Sequence, residues 1–359
     1  MKRYNLILIG LLISSACFAQ TEVTKYFNTP KGVEGVAYAL PKNQIKVTVT
    51  AVCHKYTPGD FCQYADAYLR LKDVSPNPSV TWNLLSVDAE ETAVPDTSKI
   101  FFIKMKKNTV APLVQLSDKG IIEAINTSAI KQEKLTKKEI TIPQETMLNP
   151  RDLLTEDVAQ AGSTAKMAEL ISQEIFKLRD TRNSLLSGDV DNMPKDGASM
   201  QIMLNTINAQ DKALTSMFAG TIHSELKTYT FYVEPQTGDN EQHVLFRFST
   251  KLGVVDADDL SGTPINYKTE ITTPIAPQPD NQKKNKKNEE LEGVIYNVPA
   301  KSKFTVSDEN GKTWFSSQYM IAQLGNTDVL LNDLFNSKKE IVKIQFDPLT
   351  GSLIKIDKN

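Results

Sequence analysis

A change of hydrophobic period in the middle of the chain restricts its fold most strongly. Apolar residues repeat at helical spacing over 167–185 and again over 203–218. Ser163 is a candidate N-cap of the first helix, the second helix is expected to begin near Asp196, and Gly220 is a stop signal after it. Because the connection between them is short, the helices must return antiparallel to one another. The centre of the chain therefore predicts an αα-hairpin.

Strand patterns lie on both sides of this hairpin. Alternating or β-branched apolar residues predict strands at 45–51, 81–89, 100–105, 139–142, 227–233 and 244–248. Asn310-Gly311 predicts a tight β-hairpin, and the segment 347–351 predicts a second turn between two apolar runs. Prolines such as Pro95 and Pro143 are interpreted as breaks between strands. The fold class predicted is α+β, with two β-rich regions of antiparallel hairpins and a central antiparallel helical hairpin.

The composition changes along the chain indicate how it is organised. We expect a signal peptide at 1–19, a β-rich N-terminal region at 20–148, the helical hairpin at 149–222, and a β-rich C-terminal region at 223–359. Within the last region, residues 274–292 combine prolines with runs of lysine and glutamate, which predicts a solvated loop.

The N-terminus has the pattern of a secretory signal. Two basic residues precede the apolar run 6–13, and small residues allow cleavage between Ala19 and Gln20. Cys17 follows small residues, so lipid attachment at this cysteine is the alternative. The apolar run is shorter than the roughly 20 residues of a membrane span, and no other segment approaches that length. We expect an exported protein of the periplasm, cell surface or medium, with no transmembrane segment in the mature chain.

Cleavage would leave two cysteines, Cys53 and Cys62, in an oxidising compartment. Cys53 ends a predicted strand, and Asp60 is placed to cap a short helix that contains Cys62. A disulfide between the two is therefore expected, and it would stabilise the fold by roughly 2 to 3 kcal/mol. Reactive or metal-binding thiols are the alternative.

Charge and motifs argue against several classes of function. The chain has 41 Lys and Arg against 43 Asp and Glu, without a basic face for nucleic acid. It has no glycine-rich phosphate loop and no nucleophile elbow, so no catalytic residue and no cofactor is predicted. Asp256, Asp258 and Asp259 form a weak candidate metal site, since hard cations prefer several carboxylate oxygens. Asx-turn and capping roles are the alternative for these aspartates.

The chain also resembles a known family. The segments that carry the resemblance are VAYALPKNQIKVTVT, YTPGDFCQYADAYLRLKDV, LRDTRNSLLSGDVDNMPKDG, RFSTKLGVVDADDLSGTPI and FDPLTGSL. As a set they resemble uncharacterised secreted proteins of Bacteroides-type bacteria, described only as a domain of unknown function. The resemblance implies an exported protein and brings no activity, ligand or catalytic residue. Cys53 and Cys62 depart from the family pattern.

Two main functions remain from the sequence, and a calcium-stabilised adhesion module is a third alternative. The first is a non-enzymatic module that binds or scaffolds another component of the cell envelope, a protein or a glycan. The second is a hydrolase that acts on glycan or peptide through a pair of carboxylates. The distance between two carboxylates depends on the folded structure, so the sequence alone does not reveal such a pair. A deep pocket with convergent carboxylates would favour the enzyme, and an open face would favour binding.

Overall fold

The computed structural model describes residues 22–25, 35–104, 113–130, 140–143, 147–189, 196–236, 241–273, 293–331, 334 and 341–358. The predicted signal peptide, with Cys17, Ala19 and Gln20, lies outside the described residues. So does the whole of the predicted polar loop, residues 274–292.

Strands make up most of the described chain. They are β1 (Glu22–Lys25), β2 (Gly35–Thr57), β3 (Ser79–Lys104), β4 (Val114–Leu116), β5 (Ile122–Ile125), β6 (Thr221–Val233), β7 (His243–Ser249), β8 (Gly253–Val255), β9 (Thr263–Ile271), β10 (Gly293–Asp308), β11 (Thr313–Leu331), β12 (Val342–Phe346) and β13 (Leu353–Lys358). The α-helices are α1 (Ala65–Leu69), α2 (Glu156–Ala159), α3 (Thr164–Ser187) and α4 (Gly197–Ala219). Two 3-10 helices, Cys62–Tyr64 and Pro150–Leu153, lie before α1 and α2.

The strands form three antiparallel sheets. The first has the order β1-β3-β2-β6, the second β11-β10-β9-β7-β8, and the third β13-β12-β5-β4. An isolated parallel bridge joins Ala39 to Ile121. The N-terminal and C-terminal β-rich regions share sheets, because β6 pairs with β2 and β12 pairs with β5. The predicted α+β class is confirmed, and the two β-rich regions are interwoven through these pairings.

One predicted break between strands is wrong. Residues 81–89 and 100–105 were expected as separate strands, but β3 continues from Ser79 to Lys104 through Pro95. Pro95 lies opposite Pro41 of β2, next to a shift in register. Proline has no N–H to donate to a ladder and is tolerated at such irregularities. Since the two prolines face one another, the pairing continues beyond them in both directions.

Local turn signals were more reliable. Asn310-Gly311 lies in the connection of the β10–β11 hairpin, where Ser307 pairs with Thr313, and the turn 347–351 joins β12 to β13. The strand predicted at 139–142 is wrong for its described part, because residues 140–142 are irregular. Residues 140–142 have no partner strand in the described sheets. The alternation of apolar and polar residues within one segment does not show whether a partner strand exists.

Two apolar cores lie between the sheets. The larger one packs β2 and β3 of the first sheet against the second sheet, through Ile45, Val47, Val49, Phe246, Phe304 and Ile321 among others. The other core joins the opposite ends of β2 and β3 to β5, β10 and β12, around Tyr38, Ile122 and Ile344. Both long strands of the first sheet therefore serve two cores along their length.

The helices form a separate layer with its own core. Ile171 and Ile175 of α3 pack with Leu214 and Phe218 of α4 and with Phe61. β2 leads into this layer and α4 leads out of it into β6, so the layer lies at one end of the first sheet. No helix within the described ranges is long and apolar enough to cross a membrane.

The boundaries of the two long helices follow the signals in the sequence. Ser163 accepts a hydrogen bond from the Lys166 amide at the start of α3, and Asp196 accepts one from Ser199 N (2.8 Å) at the start of α4. Gly220 ends α4 with a positive φ, as predicted. The predicted Asp60 cap is wrong, because Phe61 is the N-cap residue and makes no side-chain cap. Asp60 instead forms an exposed ion pair with Arg151.

Candidate functional site

The most concentrated polar structure inside the protein is a network where the three sheets meet, which we call the junction network: Asn43, Glu91, Asn297, Gln323 and the turn 347–351. Asn43 is fully buried on β2. Its Oδ1 accepts from the Ala322 amide, and its Nδ2 donates to Leu349 O and to the Glu91 carboxylate. One side chain thus joins β2 to β3, to β11 and to the turn after β12.

Gln323 replaces a missing stretch of strand. β6 ends at Val233, opposite Ile45, and Pro235 follows with no N–H to donate. The Gln323 side chain accepts from Asn43 N (2.8 Å) and donates to Asn43 O (2.7 Å) and Pro235 O (3.1 Å). These are the bonds that a further residue pair of β6 would have made, so the buried backbone of Asn43 remains paired.

Asn297 holds the turn 347–351 against β2. It is fully buried on β10, and its Nδ2 donates to Pro41 O (2.9 Å) and Thr350 O (2.8 Å). Gly351 has a φ of +69°, and a Cβ there would lie 2.6 Å from Pro41 Cδ. Only glycine therefore fits at this position of the turn. The turn is a packed part of the interior and is not a free surface loop.

Glu91 is the carboxyl group of the network with the most altered acidity. Burial raises its pKa to about 7, the nearby Asp347 carboxylate also raises it, and the hydrogen bond from Asn43 lowers it. Asp347 is itself occupied by the turn, since its Oδ1 accepts from Leu349 N (2.7 Å) and Thr350 N (3.2 Å). The structure thus brings two carboxylates into electrostatic contact, as the hydrolase alternative requires.

The accessibility of this pair argues for a structural role. A cleft of about 260 Å³ adjoins the network and is lined by Lys42, Glu234, Pro235, Gln236 and Gln323. Lys42 Nζ and Glu234 Oε2 are 2.7 Å apart in it, and Gln323 already uses both ends of its amide. Among the described residues, neither Glu91 nor Asp347 lines this cleft. Glu91 has the acidity of a general acid or base, and its carboxylate is already engaged by the amide of Asn43.

A larger cavity lies on the helical hairpin. It is an open groove of about 530 Å³ along the outer face of α3, lined by Gln173, Phe176, Lys177, Asp180, Thr181, Ser184 and Asp189. These α3 residues recur at intervals of three and four, on the side of the helix away from Ile171 and Ile175. Phe176 is 47% exposed, and Arg179 lies 5.9 Å from its ring centroid. We call this cavity the α3 groove.

The α3 groove lies on a firmly held helix pair. Arg179 Nε donates to both oxygens of Asp211 (3.2 and 3.3 Å), and Arg179 Nη2 donates to Thr215 Oγ1 (3.3 Å). This partly buried pairing joins α3 to α4 halfway along their length. A large exposed aromatic ring flanked by charges of both signs is the composition of a binding surface rather than of a reaction site.

The predicted metal candidates are used by a local turn. Asp259 Oδ1 accepts from Ser261 N (2.9 Å), and Asp259 N donates to Asp256 O. The hydrogen bonds from Ser261 lower the pKa of Asp259, and Arg247 lowers it further. Within the described part of the chain, no group of three or more His, Cys, Asp or Glu side chains could hold a metal ion. The structure therefore does not bring together the three candidate ligands Asp256, Asp258 and Asp259. Asp259 instead forms an Asx-turn, which was the alternative interpretation.

Cys53 and Cys62 are free thiols in the structure, so the predicted disulfide is not formed in it. Cys53 is buried beside Ala51 and Trp82 on one face of β2. Tyr56 lies on the opposite face, where burial and, after it, the nearby Cys62 raise its pKa. Cys53 lies on β2 and Cys62 begins the 3-10 helix that follows it, and spacing along the chain did not reveal that the two thiols stay separate.

One histidine has a hydroxyl partner. His54 Nδ1 lies 2.7 Å from Ser224 Oγ, and the two residues are register partners on β2 and β6. The pair joins neighbouring strands on a sheet face, where a cross-strand hydrogen bond is the ordinary role of such residues. It belongs neither to the cleft beside Gln323 nor to the α3 groove.

Sequence reasoning did not single out Asn43, Glu91 or Phe176. A signal for Asn43 was present, because it continues the inward-facing series of Ile45 and Val47 and is the polar residue in it. Its partners lie in distant parts of the sequence, the nearest being Glu91. Phe176 lies off the apolar stripe of α3, which is a sequence signal for an exposed aromatic ring.

A family model described as Domain of unknown function (DUF4831) matches residues 34–354, which covers nearly all of the described chain. No curated protein and no solved structure matches the chain.

Proposed function

The chain belongs to the family described as Domain of unknown function (DUF4831), and on that premise we propose that it is an exported binding module of the cell envelope that holds a partner in the α3 groove. The observation that carries the proposal is the groove itself, with the exposed Phe176 ring among polar and charged side chains. Export is supported by the leader at 1–19, with its basic start and apolar run.

The groove fits another macromolecule better than a small enclosed substrate. Its residues follow one face of α3 over about three turns, roughly 16 Å. Phe176 offers an apolar anchor, and Lys177 and Asp180 offer one charge of each sign beside it. An envelope protein or a glycan chain can use such a surface, since both present apolar and polar groups along an extended edge.

Site-specific cross-linking in the native organism tests this function. A photoreactive residue in place of Thr181, inside the groove, should yield a reproducible adduct, and one in place of Lys355 on β13 should not. The adduct should disappear with Phe176→Ser and persist with Tyr232→Ser, a matched loss of an exposed ring on β6. Equal labelling at both positions, or an adduct unaffected by Phe176→Ser, would contradict binding in the groove.

Export has a separate test. Intact-mass analysis of the protein from the native organism should give a chain that begins at Gln20, released with the periplasmic or extracellular fraction. A chain that begins at a lipid-modified Cys17 would establish the anchored alternative. Recovery of the full chain with Met1 from the cytoplasm would contradict export.

A hydrolase is the second candidate, and the specific observation for it is the raised pKa of Glu91 beside Asp347. Purified protein should then cleave some member of a panel of glycans and peptides. Glu91→Gln and Asp347→Asn should abolish that activity. Glu90→Gln, which changes a neighbouring carboxylate in a half-buried ion pair with Lys46, should retain it. Turnover that survives Glu91→Gln would remove the carboxylate pair from the mechanism.

A further inference from the structure

The first sheet ends at β6, which has a long unpaired edge. β6 pairs with β2 along its whole length, Thr221–Val233, without a shift in register, and it has no second partner in the described ladders. In an antiparallel edge strand, every second residue directs its backbone N–H and C=O away from the sheet. β6 contains no proline and no bulge, which commonly protect such an edge. This edge can therefore pair with a further strand.

The other edge strands of the described sheets are short or interrupted. β1 has 4 residues, and β4 and β8 have 3 residues each. β13 has 6 residues, with Lys355 and Lys358 among them. β11 is long, but its residues 322–325 are left out of the ladder with β10, where the pairing shifts. β6 is thus the longest uninterrupted edge among the described strands.

The charges of β6 determine which partner fits this edge. Glu225 and Lys227 are two residues apart, so both side chains lie on the same face of the strand. Glu225 forms a partly exposed ion pair with Lys55 (3.4 Å), and Lys227 Nζ lies 5.4 Å from the centroid of the Trp82 ring. A lysine in the middle of an edge normally opposes pairing, because a new neighbour would cover its charge. A second β6 in antiparallel orientation supplies the opposite charge.

We propose that β6 pairs with β6 of a second copy of the chain, antiparallel about a two-fold axis at Leu226. Each residue then lies opposite the residue at the same distance on the other side of the axis, so Glu225 of each copy faces Lys227 of the other. Residues 221–231 of both copies form the ladder, and the two first sheets join into one. Directly opposed unlike charges stabilise an antiparallel pair of strands, and here they do so twice.

The charge pattern selects this register from its alternatives. An axis at Glu225 or at Lys227 would place that residue opposite itself and bring like charges together. An axis at Ser224 places Glu225 opposite His223, but it shortens the ladder. An axis further along β6 leaves Lys227 without an opposite charge. The axis at Leu226 combines a long ladder with reciprocal charge pairs.

The dimer is independent of the proposed function. β6 follows α4 directly along the chain, so the two helical layers would lie at opposite ends of the joined sheet. The α3 groove is on the helical hairpin and takes no part in the ladder. Either proposal can therefore fail without the other.

Sedimentation or light scattering of the purified mature chain, residues 20–359, tests the dimer. Over about 1 to 100 μM, where small interfaces associate, the average mass should rise from one chain to two. Glu225→Lys should weaken association at least about tenfold, because both reciprocal pairs become pairs of like charge. Glu309→Lys is the matched control, since it reverses an exposed charge in the β10–β11 turn, and it should associate as the wild type does.

An exchange of the two charges makes the test sharper. Lys227→Glu alone should weaken association as Glu225→Lys does. The double variant Glu225→Lys, Lys227→Glu again places unlike charges opposite one another and should recover the association of the wild type. A mixture of the two single variants should form mixed dimers, since each copy meets the opposite charges on the other. Damage to the strand itself would not be reversed in this way.

Circular dichroism and thermal unfolding at low concentration should be alike for all of these proteins, since the substituted side chains are partly or fully exposed. A wild-type chain that remains monomeric throughout would overturn the proposal and leave the β6 edge to a strand of a different protein. Single variants that associate as the wild type does, or a double variant that does not recover, would also overturn it.

Cross-linking locates the axis. Oxidation of the Leu226→Cys variant should yield a dimer with residue 226 joined to residue 226, identified by mass spectrometry, because the residue on the axis lies opposite its own copy within reach of a disulfide. Thr230→Cys is the matched control on the same strand. Its two copies would lie roughly 27 Å apart along the ladder and should not be joined. Equal yields from the two variants would reject the axis at Leu226.

Discussion

The junction network and the outer half of the helical hairpin place polar and apolar groups in opposite ways. The network buries Asn43 and Asn297 completely and binds their amides to three strands and a turn. The hairpin exposes Phe176 and Ile202 on helices whose apolar core is already filled at Ile175 and Phe218. Polar groups inside with many partners indicate structure, whereas large apolar groups outside with few partners indicate binding.

The comparison also separates the two candidate functions. Glu91 has the unusual acidity that catalysis needs, but its carboxylate already accepts a hydrogen bond from the buried Asn43 of the network. Phe176 has no unusual chemistry, but it stands in an open groove. Changes in the network should therefore alter folding stability, and changes in the hairpin should alter association with little effect on folding.

The largest effect is expected from Asn43→Ala. The substitution leaves the Ala322 amide and the Leu349 carbonyl without their buried partner and removes the donor to Glu91. We expect the free energy of unfolding to fall by about 4 kcal/mol, because each buried unpaired group costs about 1 to 3 kcal/mol. Urea unfolding of the mature chain measures this, with the exposed Asn208→Ala as control. A loss below about 1 kcal/mol would show that water or a rearranged strand replaces Asn43.

Glu91 should make stability depend on pH. Its pKa is about 7 in the folded protein and lies at the ordinary 4.5 in the unfolded chain, so the folded state holds the proton more tightly. This contribution is fully present below pH 4.5, declines as the pH rises to 7, and is lost above it. The decline should amount to roughly 3 kcal/mol.

Glu91→Gln provides the measurement. A neutral amide can still accept from Asn43, so at pH 8 the variant should be the more stable protein, and at pH 4.5 the two should be similar. Glu90→Gln is the matched control, since Glu90 is the neighbouring carboxylate and lies half-buried in an ion pair with Lys46. Equal pH profiles for wild type and Glu91→Gln would show that Glu91 is not the buried acid described here.

How far the sequence predicted these regions depends on the distance between interacting residues. Signals that work through neighbouring residues were reliable, and the helices and hairpin that they delimit were predicted. Such signals are Ser163, Asp196 and Asn310-Gly311, whose interactions lie within four residues along the chain. The continuity of β3 was missed because Pro95 lies at an irregularity of the ladder opposite Pro41. Pro41 is on another strand, so the sequence around Pro95 does not show this pairing. The disulfide was predicted from the spacing of Cys53 and Cys62 and from an oxidising compartment, and the two thiols are free in the structure.

The junction network was beyond sequence reasoning for the same reason. Asn43 and Gln323 are 280 residues apart, and β6 reaches β2 only after the whole helical layer. A polar residue at an inward position of β2 signals that a partner must exist, but not which one. The hairpin differs, because its exposed face can be read from the departure of Phe176 and Ile202 from the apolar stripes that pack α3 against α4.

Gln323→Leu should show a smaller loss than Asn43→Ala. It leaves the backbone N and O of Asn43 unpaired and fills the same space with an apolar side chain. We expect a loss of about 2 kcal/mol in the free energy of unfolding. Gln318→Leu on the same strand is exposed and should change stability by less than about 0.5 kcal/mol. Equal effects of the two substitutions would mean that Gln323 does not replace the missing end of β6.

The smallest effect on folding should come from Ile202→Ala. The side chain is largely exposed and alanine is the better helix former, so the free energy of unfolding of the monomer should change by less than about 0.5 kcal/mol. Ile175→Ala on α3 is the buried counterpart and should cost about 3 kcal/mol. Thermal unfolding at low protein concentration measures both. A loss of about 2 kcal/mol from Ile202→Ala under those conditions would mean that this side chain packs within its own chain. The contrast between buried polar groups in the network and exposed apolar groups on the hairpin would then fail at Ile202.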